Sequence, residues 1–488
     1  MNRIFMNLKI NTALAAGSLL LLLNHTTLQN PPSRPALQWD AFFEKPASFT
    51  SRDRRASRHV LTSGAVAFFV ADPSAPIIDI RVAFRAGSYL DRNGKEGLSR
   101  ILADCLRFGG TKGRTPGAVE AELASAGATL QIDICDTNGF AELRVPAANV
   151  ELAAAVLFDI LRQPAFVQSS LDHAKARLLA MLAARNDDTE TAVRREWKRA
   201  ARGNHYSTRL PSTESILSIT RDDAAAAGAR FLFPKNFIIS AGGDFRSEQL
   251  IQIFEDQLKG WASADTPLPV PPEIETPGAP GIYLFDAGTL QNSAAVAVGF
   301  LTTKRDHDDR VALGVLLEHL LSPAAAGKIE RALRIERSIA SNLKIQQSTG
   351  DWFADDAVIY ATCQAKSATA TVATILEEFR KLQVETLPPE RLAFLKQCLL
   401  DRSVISVGTS NVLAAQFAYD ELVRADPEEA QRYRERLLAL TPDDCLRAAR
   451  RYFEPQKAII LIAGNRKKLE ACTPALSTFG NIKIVELD

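Results

Sequence analysis

The sequence predicts an α+β protein built from two similar halves, each a largely antiparallel sheet flanked by helices. The first reason is an internal repeat, in which residues 220–244 align without a gap with residues 441–465, at a constant offset of 221 residues. The second reason is that strand patterns come in runs, followed by runs of helices, which is typical of α+β proteins. The third is a proline-rich segment between the two copies, which separates one half from the other.

The composition is that of a globular chain long enough for more than one core. Of the 488 residues, 46% are hydrophobic, and 58 basic side chains almost balance 57 acidic ones. The near-zero net charge argues against a nucleic-acid binder, and the hydrophobic fraction argues against disorder. Six cysteines without a C-x-x-C pair argue against a disulfide scaffold and a thiolate zinc site. No two histidines lie four residues apart, so no helix face carries the usual pair of histidine ligands.

Residues 1–29 have the features of a signal peptide or an N-terminal anchor. Arg3 and Lys9 form a positive flank, and the apolar stretch from Thr12 to Leu23 is twelve residues long. Twelve residues are too few to span a bilayer core of about 30 Å, but they suit the apolar part of a signal peptide. The chain is therefore predicted to be periplasmic or secreted, without a transmembrane span. An uncleaved anchor or a disordered tail is the alternative, and residues 30–58 are predicted to form a linker.

Both copies of the repeat carry the same local signals. Thr220 and Thr441 are N-cap candidates, and acidic residues follow each of them in the first helical turn. A helix then ends before Pro234 or Pro455, and an apolar strand rich in β-branched residues ends in a glycine turn. Each copy therefore predicts the same helix–strand unit.

The segment between the copies predicts a domain boundary. Six prolines lie from Pro267 to Pro280, and such a run neither joins a sheet ladder nor continues a helix. Residues 262–280 are therefore predicted to be a semi-rigid linker. The predicted halves on either side are residues 59–261 and 281–488.

Each half has its own order of elements, read from apolar periodicity and from glycine and proline punctuation. In the first half, the predicted strands are residues 65–70, 78–84, 129–135 and 140–145, the last two joined as a hairpin by a turn with Asn138-Gly139. Its predicted helices are residues 97–108, the segment from Thr115-Pro116 to Gly127, and residues 150–161 and 171–185. The second half is predicted to have a strand at 294–300, helices at 311–321 and 327–336, and a hairpin around 348–355.

These elements carry motifs that resemble the M16 metallopeptidase family, which includes pitrilysin, insulinase and mitochondrial processing peptidase. The resemblance runs from about His59 to the C-terminus. Its motifs are Gly97-Leu98-Ser99-Arg100-Ile101-Leu102-Ala103-Asp104, Phe108-Gly109-Gly110-Thr111, Arg114-Thr115, Gly127-Ala128, Pro164-Ala165-Phe166, Pro234-Lys235-Asn236 and Gly242-Gly243-Asp244. The resemblance implies the LuxS-like metallohydrolase fold and, from the family, a chamber in which two such halves enclose an unfolded peptide.

The first of these motifs departs from the family's catalytic pattern. Family members that cut peptides carry H-x-x-E-H there, in which two histidines bind Zn²⁺ and the glutamate activates the metal-bound water. Here the histidine positions hold Arg100 and Asp104, and the base position holds Ala103. Arginine cannot lose its proton to become a ligand, and alanine accepts no proton. Residues 180–183, where the resemblance places the third ligand, have no side chain that could coordinate.

The resemblance therefore implies a degenerate zinc site, with no catalytic residue and no metal in this chain. Zinc is expected only in a partner chain. Arg100 and Asp104 lie four residues apart, so they are expected to form an exposed ion pair on one helix. Glu318 and His319 look like the end of a zinc box, but Val315 stands where the first histidine would be. His319 is therefore expected to be a half-exposed structural residue.

The second half of active family pairs carries Leu-Arg with a tyrosine seven residues after the arginine. In the family these two side chains hold the substrate backbone and polarise its carbonyl. Leu333 and Arg334 match, whereas Ser341 stands at the tyrosine position. The resemblance makes Arg334 and Ser341 candidates for substrate binding. The alternative is that Arg331, Arg334 and Arg337 form a solvated helix face.

The resemblance implies a non-catalytic subunit that docks with an active, zinc-bearing M16 homologue and completes a chamber for unfolded peptide. A binding or assembly protein without a protease partner is the alternative, and an active peptidase with an unrecognised site is the third hypothesis. The sequence has no G-x-S-x-G elbow, no P-loop and no dinucleotide-binding glycine motif after a strand. We therefore expect no cofactor in this chain and no nucleic-acid partner.

Overall fold

The computed structural model describes residues 56–263, 269–287, 290, 292–321, 327–347, 350–406, 408–426 and 428–485. These residues belong to one compact unit, Thr50–Asp488. The signal peptide or anchor predicted for residues 1–29 and most of the predicted linker 30–58 lie outside the described residues.

The first half builds a six-stranded sheet in the order β1-β2-β6-β3-β5-β4. The parallel pair is β2 with β6, and the other four pairs of neighbours are antiparallel. The predicted hairpin is formed, but its predicted turn at Asn138-Gly139 is wrong: both residues belong to β5, where Gly139 pairs with Ile134, and the turn lies at residues 135–137. The strands are β1 (Ser57–Val60), β2 (Val66–Ala71), β3 (Ile77–Arg85), β4 (Thr129–Ile134), β5 (Asn138–Pro146) and β6 (Phe237–Gly243).

Apolar and polar residues alternate along the strands of this sheet. The apolar residues form an inner face, which the helices cover. On β3, Ile78, Ile80, Val82 and Phe84 are buried in the core, while the residues between them point to the opposite, outer face. The helices of this half are α1 (Leu98–Phe108), α2 (Pro116–Ser125), α3 (Val150–Arg162), α4 (Gln168–Ala183), α5 (Thr189–Arg202), α6 (Thr213–Ser218), α7 (Arg221–Phe231) and α8 (Ser247–Leu258).

The second half builds another six-stranded sheet in the order β12-β7-β11-β8-β10-β9. Strand β7 runs parallel to β11 and β12, and the other pairs are antiparallel. The strands are β7 (Gly281–Asp286), β8 (Ser293–Leu301), β9 (Ala340–Gln347), β10 (Asp356–Gln364), β11 (Ile459–Gly464) and β12 (Ile482–Val485). The predicted α+β class with largely antiparallel sheets is therefore confirmed.

The helices of the second half follow the same order as those of the first. The helix predicted at 327–336 is a short α-helix that continues as a π-helical turn over Arg331–Glu336. The helices are α9 (Arg310–Leu321), α10 (Lys328–Glu330), α11 (Ala368–Val384), α12 (Pro389–Ser406), α13 (Ser410–Leu422), α14 (Glu429–Ala439), α15 (Pro442–Tyr452) and α16 (Arg466–Leu476).

The repeat has the same local structure in both halves. Thr220 caps α7: its hydroxyl accepts from the amide of Asp223, and that carboxylate accepts from the amide of Thr220. Thr441 and Asp444 form the same reciprocal cap on α15. Each helix leads through one short turn into a strand inside its sheet, β6 or β11. The capping prediction is confirmed in both copies.

The two halves exchange a helix. Helix α5, from the first half, packs on the outer face of the second sheet, against β8 and β11. Helix α13, from the second half, packs on the outer face of the first sheet, against β2, β3 and β6. Their first residues, Thr189 and Ser410, are related by the same 221-residue offset as the repeat. The halves are therefore interlocked.

The described part of the proline-rich segment lies against the first half. The Tyr89 hydroxyl donates to the carbonyl of Pro269, and the His205 ring donates through Nε2 to the carbonyl of Pro272. The amide of Gly278 donates to the carbonyl of Ala201 at the end of α5. These contacts fix the segment at three points. Among the described residues, no helix combines the length and the apolar character needed to cross a membrane.

Candidate functional site

The helix that carries the zinc box in active family members is α1, and its start is fixed by a buried carboxylate. Both Asp91 oxygens accept hydrogen bonds, from the amides of Gly97 and Ser99 and from the Ser99 hydroxyl. Asp91 is 8% exposed, and its burial raises the pKa of the carboxyl to about 6 although the hydrogen bonds oppose the shift. Gly97 has φ +101°, and a Cβ there would lie 2.9 Å from the Leu178 side chain. Only glycine fits this entry without strain.

The three degenerate positions face different surroundings on α1. Ala103 is buried at 2% exposure within the core. Asp104 is mostly buried, and its Oδ1 accepts from Arg177 Nη1 on α4 at 2.9 Å. Arg100 is exposed and reaches the edge strand β4, where its Nη1 lies 4.0 Å from Asp133 Oδ1. The site is thus two carboxylates and two guanidinium groups.

The ion pair predicted within α1 is wrong. Arg100 and Asp104 do lie one turn apart, but each pairs with a residue of another element, Asp133 or Arg177. Burial raises the pKa of Asp104, while the positive charges of Arg177 and Arg100 act in the opposite direction. Asp104 is therefore held by a strand-edge and helix–helix network that sequence spacing alone does not reveal.

The helix that should supply a third ligand has none at the expected place. Helix α4 exposes Ala180, Met181 and Ala183 there, and its acid Asp172 accepts from Gln168 at the helix start. Within the described ranges, no three His, Cys, Asp or Glu side chains come together in a group that could hold a metal ion. The residues present at this site do not fit zinc, because arginine and alanine cannot coordinate it.

The two candidates of the second half lie at the start of its edge strand. Arg334 is on the π-helical turn, 55% exposed, and its Nη1 donates to Glu330 Oε1 at 2.7 Å. Ser341 is exposed near the start of β9, and its hydroxyl donates to the carbonyl of Thr362 at 3.4 Å. If the Arg334 guanidinium released Glu330, it could donate a hydrogen bond to a substrate carbonyl. Substrate binding by Arg334 and Ser341 stays a prediction.

The neighbouring residues of these candidates were only partly anticipated. The three arginines are exposed as the alternative expects, but each has a partner: Arg331 pairs with Glu336, and Arg337 donates to Thr374. The expectation of a half-exposed His319 is wrong, because the residue is only 7% exposed and Nδ1 accepts from Arg391 Nε at 3.2 Å.

Sequence reasoning missed the polar contacts that join the halves. The indole Nε1–H of Trp197 on α5 donates to the carbonyl of Ile459 on β11 at 2.9 Å. Arg202, at the end of the same helix, forms a buried ion pair with Asp356 on β10. A tryptophan on an amphipathic helix was a usable signal for burial. Nothing in the periodicity says that the surface it meets belongs to the other half.

Two family models match consecutive parts of the chain. One describes insulinase, peptidase family M16, and covers residues 66–213; the other describes the peptidase M16 inactive domain and covers residues 218–399. Together with the two-sheet fold and the motif on α1, these matches identify the class of protein. The chain belongs to the M16 peptidase family.

Individual proteins agree with this assignment. The chain is 24% identical over 185 residues to the non-peptidase homolog YmxG of Helicobacter pylori, a match that spans 38% of this chain and 43% of that protein. In fold it is similar to a peptidase M16 inactive domain from Pseudomonas fluorescens, with a TM-score of 0.69, 19% identity and coverage of 84% of this chain and 98% of that one.

Two further solved structures share the fold at different lengths. A chain of complex III2 from Candida albicans has a TM-score of 0.67 and 16% identity, covering 87% of this chain and 100% of that one. The periplasmic protease PqqL of Escherichia coli has a TM-score of 0.67 and 14% identity, covering 84% of this chain but only 46% of that one. This chain therefore corresponds in length to about half of PqqL.

Proposed function

We propose that this chain is a non-catalytic M16 subunit that pairs with a zinc-bearing M16 homologue and completes a chamber for unfolded peptide. The observation that carries the proposal is the content of the zinc-box positions. Arg100 and Asp104 stand where histidines would bind zinc, and they are engaged with Asp133 and Arg177. Ala103, at the base position, is buried and has no proton acceptor.

The charges at this position also disfavour a metal ion. A catalytic zinc site needs three protein ligands and one open position for water. Here the one carboxylate on α1, Asp104, already accepts from the Arg177 guanidinium, and Arg100 adds a second positive charge. A divalent cation would have to displace one guanidinium and approach another. The name of the relative YmxG, a non-peptidase homolog, is consistent with the same loss of activity here.

Pairing is supported by length and by the interlocked halves. PqqL is about twice as long as the part of it that this chain matches, so a second unit of similar size would complete an equivalent assembly. The exchanged helices join both halves of this chain into one body, so a chamber that opens and closes on a peptide would need a second body. We therefore assign the second wall of the chamber to another chain.

The test of the non-catalytic role is elemental analysis and peptide cleavage of the purified chain. We expect zinc far below one ion per chain, and no cleavage of an unfolded peptide such as reduced insulin B chain, with or without a chelator. Stoichiometric zinc, together with cleavage that a chelator abolishes, would overturn the proposal and favour a peptidase with an unrecognised site.

The test of pairing is copurification with a family member from the same genome that carries an intact H-x-x-E-H. We expect a complex whose peptidase activity exceeds that of the zinc-bearing chain alone. Arg334→Ala should lower this activity, mainly through KM. Arg380→Ala is the matched control, because Arg380 is 56% exposed and paired with Glu377 much as Arg334 is 55% exposed and paired with Glu330.

The alternative is a binding or assembly protein of M16 fold without a protease partner. The similarity in fold to a complete chain of Candida albicans complex III2 supports this alternative, since that chain is part of a larger complex. A stable complex that contains no H-x-x-E-H chain would support this alternative over the first proposal.

We also propose that the protein works in the periplasm or is secreted. The apolar stretch from Thr12 to Leu23 has the length of a signal-peptide core, and PqqL is a periplasmic protein. A fusion of residues 1–58 to alkaline phosphatase should be active outside the cytoplasm. An inactive fusion, with the full-length chain in the cytoplasmic fraction, would contradict this location.

A further inference from the structure

The second half has a cavity of about 740 Å³ that the proposed function does not use. It lies between the end of α9, the short helix α10 with its π-helical turn, and the end of α11. Its lining combines charged side chains from these elements with apolar ones. A π-helical turn costs backbone hydrogen-bond geometry, and such turns are frequent at functional sites.

His319 presents a hydrogen-bond donor to this cavity. Its Nδ1 lies 3.2 Å from Arg391 Nε, and an arginine nitrogen can only donate. Nδ1 is therefore the acceptor, and burial beside Arg391 and Lys328 lowers the pKa of the ring to about 4, so it is neutral at pH 7. The proton of the neutral ring is then on Nε2. Nε2 has no acceptor among the described residues, although the side chain is only 7% exposed.

Among the described residues, the lining charges leave one cation, Lys328, and one carboxylate, Glu385, without an ion pair. Arg331 pairs with Glu336 at 2.8 Å, and Lys381 pairs with Glu378 at 2.7 Å. Lys328 also lines the cavity and forms no ion pair within the described part of the chain. It is close enough to His319 for its charge to lower the pKa of that ring. The His319 Nε2–H and the Lys328 ammonium group, neither with a hydrogen-bond acceptor among the described residues, thus lie in one part of the cavity.

The rest of the lining is suited to an apolar body. Leu320, Ala332, Leu382 and Leu387 face the cavity, and three of them belong to the buried core of this half. We propose that this cavity binds a monocarboxylate with an apolar body, with the carboxylate held by Lys328 and the His319 Nε2–H. A charge-assisted hydrogen bond from each donor would satisfy both groups. The volume of the cavity lies in the usual range for a small-molecule site.

Two sources carry this chemistry: the C-terminal end of a short apolar peptide and a free aliphatic acid. Titration calorimetry on the full chain distinguishes them with three probes, the tripeptide Leu-Ala-Leu, its C-terminal amide and 4-methylpentanoate. Binding of the tripeptide acid alone identifies a peptide end, and binding of 4-methylpentanoate as well identifies a general carboxylate site. Equal binding of the tripeptide and its amide, or no heat from any probe at millimolar concentration, would overturn the proposal.

Lys328→Gln tests the site with little risk to folding, because Lys328 is exposed and unpaired. We expect the carboxylate probe to bind about tenfold more weakly, the loss typical of one charge-assisted contact. Lys328→Arg should retain most of the affinity. Lys467→Gln is the matched control, an exposed lysine on α16 that is not among the lining residues. Unchanged affinity in Lys328→Gln would remove Lys328 from the site and contradict the proposal.

Discussion

The two exchanged helices occupy equivalent places but are held by different means. Helix α5 meets the second sheet with a fully buried tryptophan, Trp197, and with the buried ion pair of Arg202 and Asp356. Helix α13 meets the first sheet with small residues, Ala414 and Ala418, at a close approach of backbone to backbone. One topological feature is thus stabilised once by a large anchor and once by small residues with Leu422 and Phe417 beside them.

The difference follows from the outer faces of the two sheets. On the second sheet that face is apolar, with Ala297, Val358 and Tyr360 packed against α5. On the first sheet β3 and β5 carry opposed charges, Arg81 with Glu142 at 2.8 Å and Arg144 with Asp79 at 3.8 Å. Helix α13 covers only an apolar strip beside them, formed by Phe68, Ala83 and Ile238. The first sheet therefore keeps a polar outer surface that the second has lost to α5.

This asymmetry bears on the proposed pairing. Because each half holds a helix of the other, opening the chain at the proline-rich segment would expose both apolar contacts to water. The described part of that segment lies against the first half through the contacts of Tyr89, His205 and Ala201. The charged face of the first sheet stays polar up to the β4 edge near Arg100.

The largest expected effect is at the α5 anchor. Trp197→Ala should lower the free energy of unfolding by about 3–5 kcal/mol, because it empties a fully buried site over Gly299 and removes the indole hydrogen bond to the Ile459 carbonyl. Urea denaturation measures the loss. Trp197→Phe retains most of the packing and should lose much less. A loss below 1 kcal/mol in the alanine variant would mean that α5 is not an anchor.

The matching test on α13 adds a methyl group instead of removing a side chain. A Cβ on Gly242 would lie 2.3 Å from the backbone nitrogen of Asn411, so Gly242→Ala must push α13 off β6. We expect a loss of about 1–3 kcal/mol in the same denaturation assay. Gly117→Ala is the control, since its Cβ meets nothing within 4 Å and helix propensity favours alanine. Equal stability of the two variants would contradict the close approach.

These two contacts also mark how far the sequence could predict the molecule. Local patterns predicted β3 at 78–84 and α4 at 171–185, against 77–85 and 168–183 in the structure. The Gly242-Gly243 pair was interpreted as a turn, although Gly242 is required by a helix from the other half. Periodicity says that a helix has an apolar face, but not which sheet that face will meet.

The candidate site shows the same limit. Residue types alone indicated that Arg100, Ala103 and Asp104 cannot form a zinc box, because this rests on the chemistry of each side chain. Their actual partners, Asp133 and Arg177, are 33 and 73 residues along the chain from Arg100 and Asp104. Helical spacing favours an ion pair between Arg100 and Asp104. Tertiary packing instead brings Asp133 close to Arg100 and Arg177 close to Asp104.

A smaller effect is expected from pH, which should weaken the contact of α5 with the second sheet more than the contact of α13 with the first. His205, just after α5, donates to Pro272 through Nε2 and bonds Ser207 through Nδ1, and burial lowers the pKa of its ring. The unfolded ring therefore binds a proton more readily than the folded one. The free energy of unfolding should therefore fall as the pH is lowered below about 6.5. The fall should be less than about 1.4 kcal/mol per pH unit.

Burial of the ring sets the expected sign, because the groups around it act in both directions. Arg202 and Arg209 add positive charge that disfavours protonation, while Asp136 and the Pro272 carbonyl favour it. Hydrogen exchange at pH 7.5 and 5 should show the end of α5 opening more at the lower pH, with α13 little changed. His205→Gln should flatten this dependence. An equal change in both helices would assign the effect to the whole fold instead of the junction.

The smallest effect is expected from the ion pairs at the rims of the two contacts. Glu190 on α5 pairs with Lys344, and Glu421 on α13 pairs with Arg58, in each case with side chains about one-third to one-half exposed. Double-mutant cycles should give about 0.2–1 kcal/mol for each pair, lower at high salt. A markedly larger coupling for Glu421 would mean that α13, which has no buried tryptophan, is held by charge. Similar small values would leave the buried contacts as the cause of the exchange, through Trp197 and the Arg202–Asp356 pair on one sheet and through close backbone contact on the other.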